Sequence, residues 1–252
     1  MQAWPRPSIA AAQGVTLRHC QNSTPQWLRS ADILDLYLDT ADRAAWADLM
    51  PTGLFRGITT NPLLAQRAGL DYPAINWLEM AQRACDLGAQ ELHGQVFGPI
   101  ETYVDWAQRL YDAGAAAGLR TVVKIPMTFD ALRAVPSIKA LGGPILLTAV
   151  YDPKQVIVAK ALGADFAAPY FGRMDEAGLP ALDHLSKMQA ISGGKPRILV
   201  ASLRTANQMV ALASRGLDCF TLSPDLAQNL FSDPMTQEAA AAFEAAASSQ
   251  SS

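Results

Sequence analysis

Apolar and polar residues fall in blocks along this chain. Short β-rich apolar runs, Ile33–Leu38, Gly57–Thr59, Leu92–Val96, Thr121–Ile125, Ile145–Ala149, Phe166–Pro169, Ile198–Ala201 and Cys219–Leu222, are separated by longer stretches of helical character. This alternation predicts a parallel sheet, because parallel strands need crossover connections and helices supply them. Eight such units predict a single (β/α)8 TIM barrel, for which about 250 residues is typical; the chain has 252. A doubly wound open sheet is the structural alternative. It calls for a glycine-rich turn after the first strand, where this chain reads Asp39-Thr40-Ala41-Asp42.

The helix starts agree with a barrel. Asn61-Pro62, Asp152-Pro153, Ser223-Pro224 and Asp233-Pro234 each set a capping side chain before proline. The residue before proline is pushed out of the α region, as an N-cap requires, and proline's missing N–H costs nothing at the first helical position. Three of these pairs directly follow a predicted strand, which puts them on the C-terminal face.

The ends depart from this rhythm. Up to Ser30 the chain carries Arg6, Arg18 and Arg29 and no acidic residue, and Pro5, Pro7 and Pro25 break any helix pattern. Residues 1–32 are expected to be a disordered extension, residues 33–247 the barrel with an Ala-rich C-terminal helix over Ala239–Ala247, and residues 248–252 a solvated tail.

Composition narrows the function classes. Half the residues are apolar and 17% are charged, an ordinary globular balance. With a net charge of −3 there is no basic footprint for nucleic acid or an acidic membrane, and no apolar stretch long enough to span one. Cys20, Cys85 and Cys219 are scattered, which predicts no disulfide scaffold and suits a reducing cytoplasm; His19, His93 and His184 show no metal-ligand spacing.

The candidate chemistry lies where the apolar runs end. In barrel order these positions are Asp39; Thr59, Thr60 and Asn61; Gln95; Lys124; Thr148; Tyr170 and Arg173; Ser202 and Arg204; and Ser223. In a (β/α)8 barrel this rim carries the active site. Lys124 is the sharpest signal, set in Thr121-Val122-Val123-Lys124-Ile125-Pro126 while the other five of the six lysines lie in helical or loop contexts. Desolvation favours the neutral amine, and a neutral amine attacks carbonyls to form a Schiff base. A lysine that snorkels from a strand end or pairs with Asp39 is the plainer reading. Asp39 suits proton relay and Tyr170 proton exchange at an aldol oxygen, while Gln95 and Thr148 suit the orientation of a water. Asn61 is a helix cap that could also donate to a substrate hydroxyl. Arg173, Ser202 and Arg204 suit a phosphate, whose oxygens match guanidinium forks.

At these residues the sequence resembles the transaldolase family. The resemblance rests on Leu36-Tyr37-Leu38-Asp39-Thr40, Gly57-Ile58-Thr59-Thr60-Asn61-Pro62, Val122-Val123-Lys124-Ile125-Pro126, Thr148-Ala149-Val150-Tyr151 and Ala168-Pro169-Tyr170, in that order. The nearer branch is the short, fructose-6-phosphate aldolase-like one. The resemblance implies a barrel that uses no cofactor and no metal, with Lys124 as the Schiff-base lysine, Asp39 in proton relay and Asn61 and Thr59 in substrate binding. It also implies a ring-like homo-oligomer. Gln95 and Tyr170 are similar to the aldolase branch, whereas true transaldolases carry Glu and Phe there. The departures are Arg204 for the usual Lys, Leu63 for the usual Ser, Gly172, and a short segment from Met174 to Pro180.

The expected function is therefore a class I aldolase that joins a dihydroxyacetone unit to an aldehyde such as glyceraldehyde 3-phosphate, or cleaves that bond. The alternative is a transaldolase that passes the same unit between sugar phosphates. Further alternatives are an inert sugar-phosphate-binding barrel and a metal-dependent aldolase.

Overall fold

The computed structural model describes residues 34–249. The expected N-terminal extension and the last three residues of the expected tail lie outside them. Eight strands form one parallel sheet: β1 (Asp35–Asp39), β2 (Phe55–Thr59), β3 (Glu91–Gln95), β4 (Arg120–Pro126), β5 (Ile145–Val150), β6 (Phe166–Pro169), β7 (Arg197–Ile198) and β8 (Cys219–Leu222). Each pairs with the next in sequence from β1 to β7, and β1 also pairs with β8. The remaining gap is closed by a parallel bridge between Val200 and Phe220, with Val200 N donating to Cys219 O and Thr221 N to Val200 O, both at 2.9 Å. The sheet is thus a barrel, as the block pattern predicts, and the open-sheet alternative falls. The seventh strand, expected over Ile198–Ala201, is regular for two residues and continues only as bridges, because the chain turns sharply at Ser202.

The helices are α1 (Arg43–Leu49), α2 (Pro62–Arg67), α3 (Trp77–Asp86), α4 (Tyr103–Ala117), α5 (Phe129–Leu132), α6 (Val135–Ala140), α7 (Pro153–Ala161), α8 (Phe171–Glu176), α9 (Ala181–Ser192), α10 (Ala206–Ala213), α11 (Pro224–Asn229) and α12 (Pro234–Ser249). All four cap-proline pairs form as expected. Asn61 Oδ1 accepts from Leu64 N at 3.0 Å, Asp152 Oδ1 from Lys154 N at 2.9 Å, Ser223 Oγ from Leu226 N at 3.3 Å and Asp233 Oδ1 from Thr236 N at 2.8 Å. The last helix is longer than Ala239–Ala247. Ser248 and Ser249 belong to it, their hydroxyls donating to Glu244 O and Ala246 O. None of its residues is buried, and Met235 and Phe243 stand exposed. No described helix is long and apolar enough to cross a membrane.

Two cores follow from the period-two alternation of the strands. Outward residues such as Leu38, Ile58, Leu92, Val123, Ile125 and Leu147 pack under the helices. Inward residues Tyr37, Val122, Leu146, Phe166, Ala168, Leu199 and Cys219 fill the lumen. Cys219 is a free buried thiol; Cys85, on α3, is disulfide-bonded, a departure from the reduced thiols expected of scattered cysteines.

The N-terminal end of the lumen is closed by charge. Glu91, 1% exposed, accepts from Arg120 at 2.6 Å, from Arg56 at 3.1 Å, from the Tyr37 hydroxyl at 2.8 Å and from His93 Nε2 at 3.1 Å. Arg197 bridges Asp35 and Asp218 beside it. Burial alone would raise the Glu91 pKa, but the His93 hydrogen bond and the two arginines outweigh it and hold the carboxyl below its usual range. A carboxyl with a depressed folded pKa contributes stability that is present above its unfolded value, about 4.5, and lost as pH falls through the folded value. Glu91→Ala, which leaves the buried Tyr37 hydroxyl and His93 without their acceptor while Arg56 keeps Asp35, is therefore expected to cost about 1–3 kcal/mol at neutral pH. Urea denaturation of wild type and variant at pH 7 and pH 3 checks this; the difference should shrink at the lower pH.

Candidate active site

The C-terminal strand ends open into a cavity of about 920 Å³, and eleven of the twelve rim positions named from the sequence line it; Thr60 is fully buried and stands outside the lining. They arrive from all eight strand ends, and β8 adds Thr221.

Lys124 sits on β4 between Gln95 on β3 and Leu146 on β5, its register partners. It is 5% exposed. Burial lowers its pKa, and the Asp39 carboxylate opposes that shift without cancelling it. Its amine makes no hydrogen bond to another described residue. Of the plainer reading, the ion pair with Asp39 is not formed: Asp39 acts on Lys124 through charge, with no ion-pair contact.

Asp39 is itself held in place. Thr59 Oγ1 donates to Asp39 Oδ1 at 2.6 Å, and Thr221 Oγ1 lies 2.6 Å from Thr59 Oγ1. Thr59 has one hydroxyl proton, so Thr221 is the donor in the second contact and the chain runs Thr221 to Thr59 to Asp39. Thr59 is fully buried, and its hydroxyl supports Asp39. Thr221 is absent from the sequence expectation, although the period-two alternation from Cys219 already turns it inward.

Asn61 divides its amide between two tasks. The side-chain oxygen caps α2, which leaves the NH2 group with two donors at the cavity wall.

Tyr170 and Thr148 form the opposite wall, their hydroxyls 3.1 Å apart. Burial raises the Tyr170 pKa, the Thr148 hydrogen bond and the Arg173 charge lower it, and Asp39 adds to the rise. The phenol therefore keeps its proton at neutral pH and can donate it. Its ring is held by Tyr151, edge-on at 5.8 Å, and by the Arg173 guanidinium, 5.1 Å from the ring centre. Gln95 is fixed through its backbone: the Tyr72 hydroxyl donates to Gln95 O at 2.7 Å and accepts from Gln95 N at 2.8 Å.

Two non-glycine residues among those described adopt positive φ, Ala149 at 60° and Ser202 at 63°, and both line the cavity. Ala149 lies in a bulge of β5 directly after Thr148. Such conformations cost free energy and gather at functional sites, where a bulge re-aims the neighbouring side chains. Gly172 explains one departure from the aldolase branch. Its N–H donates to Ser202 O at 3.0 Å, and a Cβ there would lie 2.1 Å from that oxygen. Only glycine lets α8 close on the Ser202 turn.

The three residues expected to hold phosphate differ in availability. Arg173 touches Tyr151 Oη only at 3.4 Å. Ser202 lines the wall with no hydrogen bond to its hydroxyl from another described residue. Arg204 is engaged, its Nε donating to Glu176 Oε1 at 2.6 Å. Arg67, at the end of α2, is a further cation on the wall. Nothing in its sequence context separates it from a solvated helix end. No group of three or more His, Cys, Asp or Glu among the described residues could hold a metal ion.

Residues 36–252 match the family described as Transaldolase/Fructose-6-phosphate aldolase. Similar curated proteins include a probable transaldolase of Phenylobacterium zucineum (strain HLK1), 34% identical over 209 residues that cover 81% of this chain and 92% of that protein. Another is a probable transaldolase of Caulobacter sp. (strain K31), 32% identical over 215 residues, with the same coverages of 81% and 92%. Among solved structures, a mandelate oxidase variant superposes with a TM-score of 0.55 at 14% identity, over 76% of this chain and 65% of the oxidase chain. The chain thus spans under two thirds of that oxidase, and the likeness is of fold alone. A match over nearly the whole barrel, with lysine, aspartate and asparagine standing together at its C-terminal rim, makes this chain a member of the transaldolase/fructose-6-phosphate aldolase family.

Proposed function

We propose that Lys124 forms a Schiff base with dihydroxyacetone and that the protein joins this unit to an aldehyde such as glyceraldehyde 3-phosphate, or runs the reverse cleavage. The observation that carries this reading is the desolvated amine of Lys124 facing Asp39 in a cavity ringed by polar groups. The neutral amine adds to the ketone carbon, giving a carbinolamine. Asp39 moves protons as water leaves and the iminium forms. The proton lost from the adjacent hydroxymethyl carbon passes to the Asp39 carboxylate, giving an enamine whose carbon attacks the aldehyde. The new alkoxide takes a proton supplied through Tyr170 and Thr148. Water, oriented by Gln95 and Thr148, hydrolyses the iminium and frees Lys124. The Asn61 donors hold a substrate hydroxyl, with Thr59 behind Asp39; Arg173, Ser202 and Arg204 bind the phosphate. Every step uses groups of this chain, without cofactor or metal.

Gln95 and Tyr170 favour the aldolase over the transaldolase reading, since Gln cannot transfer protons as Glu does and Tyr supplies an ionisable hydroxyl. The second reading, transfer between sugar phosphates, is favoured by the relatives described as probable transaldolases. Release of free dihydroxyacetone from fructose 6-phosphate supports the first, and transfer to erythrose 4-phosphate the second. We also place the enzyme in the cytoplasm with the sugar phosphates it would use. We read it as a homo-oligomer, supported by an α12 that buries nothing within its own chain.

Borohydride trapping with dihydroxyacetone, followed by peptide mass spectrometry, should give a reduced adduct on Lys124 and none on Lys124→Met. A folded protein that gives no adduct with either dihydroxyacetone or fructose 6-phosphate would overturn the Schiff-base reading and leave an inert barrel or a metal-dependent aldolase. Chelator-sensitive turnover retained by Lys124→Met would point to a metal-dependent aldolase.

Two further outcomes follow from the site electrostatics. Imine formation should rise with pH as the Lys124 ammonium loses its proton, levelling below the ordinary lysine value of 10.5. Asp39 favours the ammonium, so Asp39→Asn should move that rise to lower pH; the trapping rate against pH reads it. Tyr170→Phe should lower aldol turnover by about 10²–10⁴-fold, the usual share of a general acid–base group, while leaving the adduct on Lys124. Steady-state kinetics with fructose 6-phosphate measures that loss.

A further inference from the structure

At the phosphate end of the cavity one cation already holds an anion of this chain. Arg204 donates through Nε to Glu176 Oε1 at 2.6 Å, through one terminal nitrogen to Glu176 Oε2 at 3.4 Å, and through the other to Ser202 O at 3.2 Å. Three of the five guanidinium N–H groups are therefore engaged, two of them on one carboxylate, although Arg204 lines the cavity. Glu176 is the last residue of α8, the helix that begins just after Tyr170 and carries Arg173. Independently of that pair, Gly172 N donates to Ser202 O at 3.0 Å, tying α8 to the turn after β7, and Gln208 Nε2 donates to Asp175 Oδ2 at 3.0 Å, tying it to α10. The Glu176 carboxylate is thus not needed to hold the two segments together. What it adds is a negative charge on the cation that would meet a phosphate.

We propose that Glu176 is a specificity-determining residue acting through Arg204: an internal counter-ion that a phosphorylated acceptor must displace and an unphosphorylated one need not. The idea rests on the aldolase reading above and deepens it. Both partners are substantially exposed, 45% for Arg204 and 57% for Glu176, so the pair is screened and displaceable. The site admits phosphate but grips it less than three free arginines would. The consequence is narrowed discrimination between phosphorylated and free aldehydes. Leu63, Leu64, Leu203 and Leu226 also line the cavity and give it apolar surface that makes no use of a phosphate charge.

The test is Glu176→Gln, which removes the charge and keeps an oxygen that can accept from Arg204 Nε. Aldol turnover with dihydroxyacetone is compared for D-glyceraldehyde 3-phosphate and D-glyceraldehyde. The variant should gain about two- to fivefold in kcat/KM for the phosphorylated acceptor, the scale of an exposed ion pair. The gain should lie in KM and fade as salt rises, with D-glyceraldehyde unchanged. Equal changes for both acceptors would make Glu176 a structural clamp, and no change for either would make the pair inert; both overturn the proposal. Affinity for inorganic phosphate, measured by calorimetry on the full chain, gives a reading without turnover. If Lys124 cannot be trapped, the aldolase reading fails, yet a two- to fivefold gain in phosphate affinity in Glu176→Gln still upholds the counter-ion and its absence overturns it.

Discussion

An amine in the lumen of a parallel barrel survives burial only by giving up its proton or by facing an opposite charge. Lys124 is poised between these: burial lowers its pKa and Asp39 partly restores it. Much of the lumen serves that balance. The guanidinium groups of Arg56, Arg120 and Arg197 lie at the far end, neutralised by Glu91, Asp35 and Asp218. An apolar layer that includes Val122, Leu146 and Leu199 stands between. His93, fully buried in the lumen, has its pKa lowered by that burial and stays neutral, so no second cation forms beneath Lys124.

The fold was largely legible because its signals are local. Strand–helix alternation names the barrel, and each Asx- or Ser-Pro pair marks a helix start through backbone sterics that involve no distant residue. The strand ends could be read as one rim because the topology follows from the alternation. What stayed hidden depends on which segments meet. Arg67 reaches the cavity only because α2 turns along the rim, and the pairing of Arg204 with Glu176 joins residues 28 apart in sequence. Thr221 was readable in principle from the period of β8. The disulfide bond of Cys85 was not, since scattered cysteines carry no spacing signal.

The rim also shows how backbone conformation is used. Ala149 and Ser202 hold positive φ with side chains present, and each follows or forms the end of a strand that supplies a site residue. The lost regularity of β7 beyond Ile198 belongs to the same turn, which brings Ser202 O against Gly172 and Arg204. A regular strand would leave these groups apart.

The two uses of Asn61 bear on how such a barrel changes over time. Its oxygen starts a helix, while its NH2 group faces the cavity. Aspartate caps a helix as well as asparagine does, and its charge suits the positive end of the helix dipole. A single Asn-to-Asp change would thus preserve folding while deleting both donors. Selection that sees only a soluble, stable barrel would not oppose that change, so the lineage could drift to a silent scaffold at no structural cost. An asparagine at this position is therefore a mark of chemistry and not of stability.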